Sequence, residues 1–196
     1  MFFSETLVVL INLAPLCITL EMLKTFQHTL NDIVIFEGVG LHTGKKAKVR
    51  VIPAKSDQGI VFKRTDLKEK NKIIANYQNV SSAKLCTTLE NEYGSKVSTV
   101  EHLLAALYVS DIDNVVVEID NEEVPIMDGS AKNFIDLFNS IGIKKLSKRR
   151  KYLKILNKVE LKDGERKISI EPIETSSFEV NFQLNYENKI IGNQKN

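Results

Sequence analysis

Residues 98–119 read STVEHLLAALYVSDIDNVVVEI. Leu103, Leu104 and Leu107 give the first half an apolar helical face, and Ser98 is a residue type that caps helix N-termini. Ser98-x-x-Glu101 has the form of a capping box, in which the glutamate reaches back to the cap amide. The pattern then changes. Asn114–Ile119 is a short run of β-branched residues, the mark of a buried strand. One stretch thus holds a helix and a strand, and the fold depends on what flanks them.

Upstream, Ile33–Phe36 is a short apolar run followed by a glycine-rich turn, Gly38–Lys46. Ala47, Val49 and Val51 then alternate with lysine and arginine, as in a half-buried strand. Gly59–Arg64 is a further strand, expected to pair with it. Downstream, Phe134, Leu137, Phe138 and Ile141 fall at helical spacing, and Gly142 is a fitting stop. Strands, helix, strand, helix make an α+β domain, a two-layer arrangement with helices on one face of a sheet.

The flanks of that domain read differently. Residues 1–21 include an apolar run, Thr6–Leu20, that is short for a membrane span and is preceded by no basic residue. They read as an extension outside the fold, with Met22 as an alternative start. The basic run Lys144–Lys154 lacks interleaved stacking aromatics, so it reads as a solvated linker or strand edge, not a nucleic-acid patch. After it, a hairpin turns at Asp163-Gly164. Phe178, Val180, Phe182, Leu184 and Tyr186 then share one face of a strand. No covering helix follows them, so the sequence divides into a 1–21 extension, a 22–147 α+β domain, and the start of a second, truncated domain of the same type at 148–196.

Composition narrows the chemistry. The 196 residues carry a net charge of +2, too small a field to imply nucleic acid or an anionic membrane. Two cysteines, Cys17 and Cys86, make no disulfide framework and fit a reducing cytoplasm. Three histidines, His28, His42 and His102, limit any zinc site, which commonly takes three protein ligands. On spacing alone, the helix-start account of Glu101-His102 outweighs a metal account. His28 and Asp32 lie four apart, but Asn31-Asp32 reads as a turn before the Ile33–Phe36 strand and not as part of a helix. Gly38–Lys46 is not a P-loop, and its glycines fit a tight turn that lets backbone approach a neighbour. Asp128 or Ser130 can cap the second helix, or Asp128 can bind a ligand. Cys86 fits a buried small apolar residue better than a nucleophile.

Four segments together resemble one family: GVGLHTGKKAKVRVIPA (38–54), KLCTTL (84–89), STVEHLLAALYVSDIDNVVVEID (98–120) and EVPIMDGSA (123–131). They are similar, in order and separation, to the zinc amidases that deacetylate UDP-3-O-acyl-N-acetylglucosamine in lipid A biosynthesis. The resemblance spans about Leu23 to Tyr186. It implies two similar α+β domains, with Zn2+ and substrate between them. It implies that His102 is one of three zinc ligands and that Glu101 is the general base for the attacking water. It implies that Asp128 orients the catalytic machinery. His42, Leu85, Cys86 and Thr87 match positions around the pocket. The resemblance further implies a cytoplasmic monomer with no nucleic-acid partner and room for transient membrane proximity.

The family's other two zinc ligands, its oxyanion threonine and its general-acid histidine lie on a later helix that this sequence does not reach. The expectation is therefore a form with impaired activity. Two alternatives stand beside it. One is a half of a split enzyme, and the other is a non-catalytic binding module using the basic run.

Overall fold

The computed structural model describes residues 10–12, 25–173, 179–188 and 190–195. The chain forms two compact units, one of residues 26–150 and one of residues 151–196 with the N-terminal residues 1–25.

Strand β1 (Leu10–Asn12) belongs to the second unit. The first unit holds β2 (Phe26–Leu30), β3 (Val34–Val39), β4 (Lys46–Pro53), β5 (Ile60–Arg64) and β6 (Lys72–Ile74). It continues with β7 (Val80–Ser82), β8 (Thr88–Glu90), β9 (Lys96–Val97), α1 (Glu101–Val109), β10 (Val115–Ile119), α2 (Lys132–Ile141) and β11 (Ile143–Arg149). Its central sheet has the order β3-β4-β10-β5-β6. Gly59–Arg64 was expected beside Ala47–Val51, but β10 lies between them, antiparallel to β4 and parallel to β5. The reason is apolar: Val115, Val117 and Ile119 are all buried, and a strand this apolar is best covered at the centre of a sheet.

Alternation decides which face is covered. Ala47, Val49 and Val51 point inward while Lys46, Lys48 and Arg50 stay exposed. Against that inner face lie Leu103, Ala106 and Leu107 of α1 and Phe134 and Phe138 of α2, all buried in one core. The rings of Phe36 and Phe134 meet edge to face, 5.2 Å between centroids. The structure is the two-layer α+β arrangement the pattern implies. Gly142 ends α2 with φ +77, its amide donating to the Phe138 carbonyl.

Of the two forms expected for the basic run, linker or strand edge, its first part takes the strand edge. Residues 143–149 form β11, antiparallel to β2. Its charges are used structurally: Lys148 pairs with Asp57, and Arg150 pairs with Asp111 and Asp113. Lys145 lies over the Phe26 ring.

The second unit contains β12 (Val159–Asp163), β13 (Arg166–Glu171), β14 (Glu179–Asn181), β15 (Gln183–Asn185) and β16 (Asn193–Lys195). The hairpin turns at Asp163-Gly164 as its sequence implies, pairing β12 with β13. β1 lies between β13 and β14. The expectation for residues 1–21 otherwise falls outside the described residues. The long alternating strand expected over 178–186 is instead two short ones. Phe182 breaks it, β14 pairing with β1 and β15 with β16. Phe178 lies outside the described residues. Among the described residues, no helix is long and apolar enough to cross a membrane.

Candidate functional site

Helix α1 begins at Glu101, but not through a capping box. Its cap position is Val100, in helical conformation and with no side-chain cap bond. Ser98 is drawn into a parallel bridge with Glu123, and both its amide and its hydroxyl donate to the Glu122 carbonyl, at 2.8 and 3.2 Å. The Glu101 carboxylate is thereby left for another partner. Its Oε2 accepts from the Thr87 amide at 3.0 Å, and the Val100 amide donates to the Thr87 carbonyl. The Leu85–Thr87 stretch is thus tied to the start of α1. Glu101, His102, Cys86 and Thr87 are half-buried, while Leu85 is exposed. Cys86 sulfur lies 3.9 Å from the Thr88 hydroxyl.

His42 sits in the glycine-rich turn. The Gly40 amide donates to Lys45 and the Gly44 amide to Gly40. The turn is anchored by Glu123, the first residue of the EVPIMDGSA segment, to which local spacing assigns no role. Its Oε1 accepts from the His42 amide and the Thr99 hydroxyl, both at 2.9 Å, and its Oε2 accepts from the Thr43 amide at 2.7 Å. Glu123 is 1% exposed. Burial pushes its carboxyl upward, but hydrogen bonds from the Thr43 side chain, the two turn amides and Thr99 outweigh that and hold it at about 2.

Asp128 lies in the turn between β10 and α2. That turn is joined to β3, because Ile126 donates to the Val39 carbonyl and Gly38 leaves only enough room for Pro125. The Asp128 carboxylate accepts from the Ser130 amide and hydroxyl, which draw it below the usual carboxylate range. Ser130, not Asp128, accepts from the first helical amide, Lys132.

The structure therefore joins Glu101 to Thr87 directly and His42 to the start of α1 through Glu123. It does not join Asp128 by hydrogen bond to any of them among the described residues. Leu85, Thr99 and Met127, close in sequence to Cys86, Glu101 and Asp128, hold left-handed backbone at φ +68, +55 and +55, as do Asp57, Lys70 and Asp111 elsewhere in the unit. Among the described residues no three His, Cys, Asp or Glu side chains are grouped to hold a metal.

The profile of the LpxC family, UDP-3-O-acyl N-acetylglycosamine deacetylase, matches residues 27–196. The chain belongs to this family. It is 42% identical over 170 residues to the UDP-3-O-acyl-N-acetylglucosamine deacetylase of Phenylobacterium zucineum, covering 86% of this chain and 57% of that protein. The protein of the same name from Shewanella frigidimarina is 42% identical over 166 residues, covering 85% and 54%. That of Shewanella baltica is 43% identical over 161 residues, covering 82% and 52%. The chain spans about half the length of these curated relatives.

Proposed function

We propose that the chain supplies the general base and one metal ligand for zinc-dependent hydrolysis of the N-acetyl group of UDP-3-O-acyl-N-acetylglucosamine, in the cytoplasm. The observation that carries this is the setting of Glu101-His102 in a chain of this family. Both lie half-buried in the first turn of α1, with Glu101 held from one side by the Thr87 amide.

The described residues fit zinc in part. His102 offers an imidazole, and a three-ligand site needs donors beyond the described residues. Zinc, when bound there, supplies Lewis acidity toward the acetamide carbonyl and acidifies the attacking water. Glu101 has Oε2 engaged by Thr87 and makes no hydrogen bond through Oε1 among the described residues. Oε1 is the atom that takes the water proton. The Thr87 bond restrains Oε2 and leaves Oε1 as the oxygen open to the water. In this reading Asp128, whose carboxylate is ordered by Ser130, orients groups around the reacting centre, and Leu85, Cys86, Thr87 and His42 are its substrate-side neighbours.

The test is acetate release from the substrate at saturating zinc. Turnover should fall by at least about a hundredfold in Glu101→Gln, the usual scale for losing a general base. Acetate release that survives the substitution would contradict the assignment.

A further inference from the structure

Among the described residues, Glu123 is the one buried carboxylate on which separate segments of the site converge. Its backbone is fixed by the bridge to Ser98, and its side chain reaches the His42-Thr43 amides and the Thr99 hydroxyl. We propose that Glu123 is a positioning residue: it pins the turn carrying His42 to the residues that start α1, and so sets where His42 stands relative to Glu101 and His102. This rests on the functional reading above.

Three observations carry the inference. First, a buried carboxylate is costly unless its oxygens are satisfied, and here the donors come from two segments distant in sequence from Glu123 and from each other. Successive amides aimed at one anion form a nest, whose shape depends on the anion being there. Second, the His42 side chain is exposed and makes no hydrogen bond among the described residues, so its position is set by its backbone. Third, the fit is close. A Cβ on Gly40 would lie 2.3 Å from Glu123 Oε2 and 2.6 Å from the Thr43 hydroxyl. Only glycine lets the turn close on the carboxylate. The neighbouring Glu122 does not share the role, since it pairs outward with exposed Lys45.

Two variants from different segments test this in the full chain: Glu123→Gln, which keeps the shape but turns an amide group toward N–H donors, and Gly40→Ala, which leaves the charge and pushes the turn away. In both, the His42 and Thr43 amide resonances should move and exchange faster, while those of Phe62 and Val117 stay. Where acetate release is measured, kcat should fall about tenfold to a hundredfold, the scale of a displaced site group. KM should stay within about threefold. The double variant should be little worse than the stronger single one, because both act on one joint. Unmoved amides, a loss carried by KM alone, or a loss in Glu123→Gln that Gly40→Ala does not share would overturn the proposal. A wild-type chain that releases no acetate counts against the proposed function and not against the joint, which the amide signals then decide.

Discussion

Phe134 and Phe138 are sealed from solvent in the 26–150 unit, whereas Leu153, Leu156 and Ile190 of the other unit are 84%, 71% and 94% exposed. Both units have alternating strands, yet alternation alone did not bury side chains. In the first unit α1 and α2 cover the sheet's apolar face. In the second, Leu161 and Ile168 are cross-strand partners and both remain exposed, with no helix among the described residues to cover them. An apolar sheet face becomes a core only when a second layer lies on it. The candidate site residues all lie in the unit that has that layer, where packing can hold them.

The sharpest way to break this comparison is to truncate one side chain in each unit. Phe134→Ala should cost about 3–5 kcal/mol in chemical denaturation, the range for emptying a buried aromatic site. Leu156→Ala should change stability by no more than about 0.5 kcal/mol, as exposed substitutions do. Comparable losses from the two would show that the second unit is as well packed as the first.

A smaller effect sharpens the account of how the first unit holds its loops. Glu123 titrates at about 2 when folded against an ordinary 4.5. A depressed carboxylate stabilises the fold above its unfolded pKa, and that contribution is lost as pH falls from about 4.5 toward 2. The loss amounts to about 3 kcal/mol, at 1.36 kcal/mol per unit. Glu123→Gln lacks this proton-linked part. Its stability deficit against wild type should therefore shrink by about that amount across the window. Parallel acid-unfolding curves would remove Glu123 as the anchor.

Much of this was readable in the residues, and what was not has physical causes. The helical spacing of Leu103 and Leu107, the face of Phe134 and Phe138, and the Gly142 stop are local patterns, and the structure has them. The capping box failed because the Ser98 hydroxyl and amide donate to the Glu122 carbonyl across the fold, a contact no local spacing encodes. The basic run left linker and strand edge open, and the choice of strand edge rests on β2 and on Asp57, Asp111 and Asp113, all distant in sequence. β10 separates β4 from β5 because pairing order is a tertiary choice. Glu123 is the clearest case. Beside Glu122 it looks the same, and only burial tells the anchor from the solvated ion pair. The family segments drew attention to Glu101, His102 and Asp128, but the links from Glu101 to Thr87 and from the His42 turn through Glu123 to Thr99 emerged from the fold alone.

The central claim is that the zinc-facing chemistry belongs to the 26–150 unit through His102. Zinc titration followed by amide resonances tests it most directly. Zinc should move the signals of residues 101–105 and 85–87 but not those of Val159–Asp163 and Arg166–Glu171, and in His102→Ala it should move none of them. Zinc-dependent shifts that persist in His102→Ala, or that centre on the second unit, would contradict it.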